Sequence, residues 1–349
     1  MPTLTDRRQD WKFVLELYRL DPDGEDGEQI ANAKVKSDFD PIVETARFEL
    51  LKRDPRPFMQ IGAEPACVEP VWHELLGEPY VESIRVVVAP QDASPAECLA
   101  PTAFFRVHAE AAAAKLISEG VLDPEEKFRY LVTAYARDTD VIAKQPAFTI
   151  EPVAQDLHLE PKSLTDLFHR SRPTGPVRDE EVPVFVPQFI LDECCERLHA
   201  TGAAETGGIL LGQIAFDPES HRLFLEVTAQ IPAQHTQQEL TSLTFTPETW
   251  SAVDAAIRLR GSDEMQLGWW HTHPAREWCK NCPEENRRVC KRSGEFFSSD
   301  DAALHRTVFP RAYSVGLVIS DSYASGLTFP MFGWNRGLVE QRGFHVLRD

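Results

Sequence analysis

The chain reads as an α/β protein in two parts. Strand-like and helix-like segments alternate along it, the hydrophobic period disappears between about Leu157 and Pro183, and a buried strand near residue 270 ends in two histidines. These observations predict an α+β domain over residues 1–170, a linker over 171–182, and an α/β domain over 183–349.

In the first part, Phe13, Leu15 and Leu17 alternate with Val14, Glu16 and Tyr18, which predicts a strand over 11–20 closed by the turn-forming Asp21-Pro22-Asp23-Gly24. Ile42, Val43, Ala46, Phe48 and Leu50 have helical spacing and stop before Asp54-Pro55-Arg56-Pro57. A strand is expected over 83–89, where Val86-Val87-Val88 supplies a β-branched run, followed by an Ala-rich helix over 104–119 closed by Gly120. A further helix is expected over 124–136. No chemistry is legible in this part.

The linker is predicted from Ser171-Arg172-Pro173-Thr174-Gly175-Pro176 and Arg178-Asp179-Glu180-Glu181, which carry no hydrophobic period. Beyond it, a helix over 187–200 starts with proline in its first turn and ends at Thr201-Gly202. Gly207-Gly208 feeds the apolar Ile209-Leu210-Leu211, and residues 223–227 alternate as a strand. Thr246 caps a helix over 247–259. The strand over 265–270 delivers His271 and His273 at its C-terminal end; a helix starts near Ser298, and a last strand is expected over 313–319.

Composition narrows the function. A chain of 349 residues can bury two cores, and 42% hydrophobic with 26% charged residues is a globular balance. A net charge of −19 argues against nucleic acid as partner, because phosphate binding needs a concentrated basic surface. No apolar run approaches the roughly 20 residues of a membrane helix, and residues 1–10 lack the apolar core of a signal peptide, so no membrane association and a cytoplasmic location are expected. Seven cysteines in such a length do not make a disulfide scaffold, and Cys67, Cys98, Cys194 and Cys195 read as buried small hydrophobes.

The chemistry lies in Trp269-Trp270-His271-Thr272-His273-Pro274, with Ser298-Ser299-Asp300-Asp301 downstream and Glu205-Thr206-Gly207-Gly208 upstream. Two imidazoles at i and i+2 of an extended segment share a face, and one carboxylate completes a three-ligand zinc set with an open fourth position. Each fragment alone is weak: Ser298-x-x-Asp301 before an apolar run is also an ordinary helix-capping box. Their combination in this order is far more specific.

That combination resembles the JAMM/MPN+ zinc metallopeptidase family of the prokaryotic JAB type, over roughly residues 183–340 only. The resemblance extends through Ile209-Leu210-Leu211-Gly212 and the strand over 315–319. It implies an α/β sandwich around a curved mixed sheet, similar to the cytidine deaminases. The implied reaction is zinc-dependent hydrolysis after the C-terminal glycine of a ubiquitin-like protein, in deconjugation or in precursor maturation, as in bacterial ubiquitin-like pathways. It implies that His271, His273 and Asp301 hold Zn²⁺, that Glu205 is the general base and that Ser298 is the oxyanion donor. A metal there lowers the pKa of water toward about 7. The implied partners are ubiquitin-like proteins or their conjugates, with E1-like or E2-like enzymes. Two alternatives stay open: processing of a sulfur-carrier protein's tail, and a non-catalytic scaffold of the same fold, although such scaffolds usually lack the metal ligands this chain retains.

One departure from the family is the long insert over 275–297, which contains Cys279-x-x-Cys282 and Cys290. Three thiols so spaced can ligate a second, structural zinc if a fourth ligand comes from elsewhere, with His305, Cys194 and Cys195 as candidates. A loop with free thiols is the alternative. Within 276–292 Arg276, Lys280, Arg287, Arg288, Lys291 and Arg292 outnumber Glu277, Glu284 and Glu285.

Overall fold

The computed structural model describes residues 7–8, 10–21, 23–24, 26–36, 38–62, 64–75, 78–90, 94–137, 155–233, 236–239, 242–261 and 263–348. The protein is mixed α/β, with seven α-helices among the described residues. The chain divides into two compact units. One comprises Met1–Leu50, Ile61–Gln155 and Arg336–Leu338; the other comprises Leu51–Gln60, Asp156–Asn335 and Val339–Asp349. No helix among the described residues is long and apolar enough to cross a membrane.

The first unit holds two three-stranded antiparallel sheets. In one, Trp11–Leu20 lies between Asp26–Lys34 and Phe128–Ala136; in the other, Glu78–Val88 lies between Ala66–Leu75 and Ala96–Pro101. The alternating Phe13, Leu15 and Leu17 point into a core shared with Ile42, Val43, Ile84, Val86, Phe104 and Phe105. The helix expected over 124–136 is corrected: Phe128–Ala136 is a strand that pairs antiparallel with Trp11–Leu20, Leu15 opposite Val132. Phe128, Tyr130, Val132 and Ala134 fall at period two and pack on the core, which a helix would spread around its circumference.

The second unit is built on a curled, mixed eleven-stranded sheet. Its main path runs Ser171–Thr174, Phe344–Leu347, Val184–Pro187, Arg222–Pro232, Gly207–Asp217, Met265–His273, Val315–Ser322, Met331–Asn335 and Leu338–Arg342. Glu160–Pro161 pairs with Gly207–Asp217, and Gly326–Thr328 pairs with Val315–Ser322. Residues 171–174, expected as linker, are a strand antiparallel to Phe344–Leu347. They form a sheet edge, where Pro173 is tolerated because one side of the strand needs no ladder hydrogen bond. The preceding segment 156–170, expected within the first domain, belongs to this second unit, with the helix Leu164–His169 packed into its core.

Gly207–Asp217 and Met265–His273 are the inner strands and are almost wholly buried, which is why they read as near-continuous apolar runs. On one face, Ile209, Leu211 and Trp269 pack with Val253 of the helix Pro247–Arg260 and with Leu304 of the helix Ser299–Val308. The helix Gln188–Thr201 packs on Met265–His273 and Val315–Ser322 and buries Ile190, Leu191, Cys194 and Leu198. Close strand approach is written into Gly268: a Cβ there would stand 1.9 Å from the Val315 carbonyl oxygen.

Candidate metal centre

The histidine strand, Met265–His273, lies between an antiparallel neighbour, Gly207–Asp217, and a parallel one, Val315–Ser322. Side chains two residues apart share a strand face, so Trp269, His271 and His273 line up while Thr272 points away. The antiparallel register sets Gly207 opposite His271. Continuing it two residues brings Glu205 beside His273, and the Glu205 Oε1 to His273 Nε2 distance is 4.0 Å. Thr272 secures this arrangement from behind: its hydroxyl accepts from the Thr206 amide at 2.9 Å, and its own amide donates to the Thr206 carbonyl at 2.8 Å.

Asp301 arrives from a different element. Ser298 caps the helix Ser299–Val308; its Oγ accepts from the Asp301 amide at 3.0 Å, and its amide donates to Asp301 Oδ2 at 2.8 Å. The capping box and the ligand reading of Ser298-x-x-Asp301 are therefore one structure. The box holds Oδ2 and leaves Oδ1 directed at His271 Nε2, 3.4 Å away. A carboxylate is also favoured there by the positive end of the helix.

The two Nε2 atoms of His271 and His273 face each other at 3.0 Å. With Asp301 they form a group whose ligand atoms all lie within 4.8 Å of one another. A tetrahedral zinc with ligand distances of about 2.05 Å has edges of about 3.3 Å, so the spacings of 3.0 and 3.4 Å suit a single ion. Two imidazole nitrogens directed at one point are also the arrangement a cation relieves. The donor set thus fits zinc. Glu205 is not in the group, but it is within reach of a bridging water.

Ring packing orients the ligands. The Nδ1 atoms of His271 and His273 are buried without a hydrogen-bond partner among the described residues. Trp269 stacks on His271 with centroids 4.7 Å apart, and its Nε1 donates to His305 Nδ1 at 3.1 Å. His273 is flanked by Phe296 at 4.5 Å and Trp278 at 5.5 Å. Trp278 Nε1 in turn donates to the Ala203 carbonyl at 2.8 Å. Trp278 and Phe296 escape sequence reading because nothing in their local pattern places them near residue 273.

Burial governs the electrostatics. It pushes the Glu205 carboxyl up to about 7, with Asp301 adding to the rise and His271 opposing it. It drives His273 down to about 3, aided by His271, so this ring is neutral and its lone pair available. For Asp301 burial works the other way, but His271 and the Ser298 hydrogen bonds outweigh it and hold the carboxyl well below the usual range.

The insert places Cys279, Cys282 and Cys290 together, their sulfurs also within 4.8 Å of one another. None of the proposed fourth ligands joins them: His305 is turned to Trp269, and Cys194 and Cys195 lie outside the group. All seven cysteines are free thiols. Burial raises Cys194 strongly and Cys195 to about 11, in keeping with inert, packed thiols.

No family model matches the chain, and no curated protein does. Among solved structures, the chain is similar to the solution structure of protein DSY2949 from Desulfitobacterium hafniense, with 16% identity over 48% of this chain and 92% of that one and a TM-score of 0.33. A likeness of that size does not bear on function.

Proposed function

We propose that the second unit is a zinc-dependent peptidase or isopeptidase of the JAMM/MPN+ type that cleaves after the C-terminal glycine of a ubiquitin-like protein. The observation that carries the reading is the convergence of two histidine Nε2 atoms and one carboxylate oxygen, with a buried glutamate 4.0 Å from one of the histidines. The substrate class rests on the resemblance of the Glu205, His271-Thr272-His273-Pro274 and Ser298-x-x-Asp301 segments to that family. A zinc held by His271, His273 and Asp301 would supply Lewis-acid polarisation of the scissile carbonyl and of water.

The chain's own residues do the rest. Glu205, poised near neutrality by burial, takes a proton from the attacking water and passes it to the leaving amine. Ser298 Oγ accepts from the Asp301 amide, which leaves its hydroxyl hydrogen to donate to the oxyanion of the tetrahedral intermediate. The neutral His273 and ionised Asp301 are the protonation states that metal ligation needs.

The test is cleavage of ubiquitin-like fusions, with and without chelator, by wild type and by Glu205→Gln. The variant should fold, keep its metal and lose roughly 10²–10⁴-fold in kcat. Unchanged cleavage by folded Glu205→Gln, or cleavage indifferent to chelation, overturns the assignment.

A further inference from the structure

The insert over 275–297 leaves the histidine strand at Pro274 and re-enters the candidate site at Ser298. It has almost no core of its own: across 276–297 only Cys279 and Ser293 are buried. Its regular structure is one short helix, Ala275–Cys279, and two single 3₁₀ turns, Glu284–Asn286 and Lys291–Ser293. Trp278, Phe296 and Phe297 pack at its two ends, but the stretch 280–295 between them buries only Ser293 and needs another source of order.

Several local hydrogen bonds tie the segments that carry the three thiols. The Cys282 amide donates to the Cys279 carbonyl at 3.0 Å, and the Ser293 amide donates to the Cys290 carbonyl at 2.8 Å. Arg287 donates to the Cys282 carbonyl at 3.1 Å and to the Lys280 carbonyl at 2.8 Å, and Ser293 Oγ donates to the Arg287 carbonyl at 2.7 Å. The sulfurs end within 4.8 Å of one another, where a tetrahedral zinc with Zn–S distances of about 2.3 Å requires edges of about 3.8 Å. Three thiolates around a divalent ion leave one negative charge. The surplus of Arg and Lys in the insert compensates it. An iron–sulfur cluster ordinarily asks for four thiolates. No fourth protein ligand joins the three thiols among the described residues, so the zinc would be of the open kind, with three protein ligands and water in the fourth position.

We propose that Cys279, Cys282 and Cys290 hold a zinc ion, separate from the His271–His273–Asp301 group, which clips the insert shut and keeps Trp278 and Phe296 on His273. The clip sits one residue after Trp278 and closes the loop that leads to Phe296. These two rings flank His273, whose Nδ1 has no hydrogen bond among the described residues to orient it. The proposal stands on the thiol geometry and does not require the peptidase reading.

The experiment uses the full chain loaded with zinc, desalted and assayed for metal by mass spectrometry, beside Cys279→Ser/Cys282→Ser and His271→Ala/His273→Ala double variants. Two zinc ions per chain are expected in the wild type and one in each variant, as the two groups imply. With cobalt in place of zinc, the thiolate-to-cobalt absorption should persist in the histidine variant and vanish in the cysteine variant. Should the cysteine variant fail to fold, alkylation of the native wild type decides: Cys282 and Cys290, both half-buried, should be protected until chelator is added. The clip's role is read by hydrogen exchange, where amides over 278–297 should exchange at least roughly tenfold faster without it while those of the histidine strand do not change. Equal metal in wild type and cysteine variant, alkylation indifferent to chelator, or a disulfide among the three cysteines overturns the zinc site. Unaltered exchange over 278–297 overturns the clip. Loss of metal in the histidine variant alone sinks this proposal and leaves the peptidase reading standing; loss in the cysteine variant alone does the reverse.

Discussion

The histidine–aspartate group and the cysteine group each bring their ligand atoms within 4.8 Å of one another, yet the chain holds them by different means. His271 and His273 stand on a strand with a hydrogen-bonded neighbour on each side, and Asp301 is locked by a reciprocal capping box. Every ligand there is buried before any metal is considered. The cysteines sit on a five-residue helix and in turns, tied by a few backbone and arginine hydrogen bonds, and two of the three are half-exposed. The first group is ordered by the fold, so a metal would bind a prepared site. The second has little else to order it, so under the zinc proposal metal binding and loop order would be one event.

The sharpest way to break the prepared group is to part its strands. Gly268→Ala sets a methyl 1.9 Å from the Val315 carbonyl oxygen, and neither can turn aside, because the oxygen is backbone in the middle of the sheet and a Cβ is fixed by the backbone that carries it. Overpacking of this kind should cost about 3 kcal/mol or more, measured by denaturant unfolding. A loss below about 1 kcal/mol would mean that the sheet yields more readily than its burial suggests.

Acid probes the same region without touching the cysteine group. His305 lies among Trp269, Phe297, Phe309 and Trp334, and burial holds it at about 3 against its ordinary 6.5. The folded protein refuses a proton that the unfolded chain accepts. The stability this ring contributes is therefore fully present above pH 6.5 and is lost as the pH falls from 6.5 toward about 3. Within that window its share of the slope is about 1.4 kcal/mol per pH unit. Wild type minus His305→Phe, compared by unfolding at a series of pH values, should show that slope. Parallel curves would exclude it.

Smaller again is the cap. Ser298→Ala removes the acceptor for the Asp301 amide and should cost about 1 kcal/mol of stability. The Ser298 amide still holds Asp301 Oδ2 in this variant, so the substitution loosens only the helix start that carries Asp301, and zinc affinity at the histidine group should fall by no more than roughly tenfold. Metal at the cysteines should be unaffected, and an equal loss at both groups would refute their independence.

What the sequence disclosed follows the same division. The convergence of His271, His273, Asp301 and Glu205 was legible because each relation is local or nearly so: i and i+2 on a strand, a capping box, and a Gly-Gly strand start placed opposite by simple antiparallel pairing. Phe128–Ala136 was misread because Pro124 and the acidic residues after it mimic a helix start, while the period-two pattern that decides the matter is completed by a strand more than a hundred residues earlier. Ser171–Thr174 looked like linker because an edge strand with a proline needs no hydrophobic period of its own; Phe344–Leu347 supplies its pairing. The contacts of Trp278 and Phe296 with His273 depend on how a long insert folds back, which no local spacing encodes.

The least perturbing change tests the loop itself. Arg287 stands over the Tyr323 ring at 5.4 Å while donating to the Cys282 and Lys280 carbonyls, and Arg276 stands on the same ring at 5.5 Å while pairing with Asp321 at 2.7 Å. The insert is thus fastened to the end of the strand Val315–Ser322, through Asp321 and through Tyr323 just beyond it, which two cations share. Arg287→Ala leaves carbonyls that water can satisfy, so the global cost should stay within about 0.5 kcal/mol. Locally it removes the bonds that hold the Cys282 turn, and Cys282 in metal-free protein should be alkylated several times faster, about the effect of losing one such bond. A global loss above about 1 kcal/mol would place the insert among the elements the fold orders by itself, and the contrast between the two groups would then collapse.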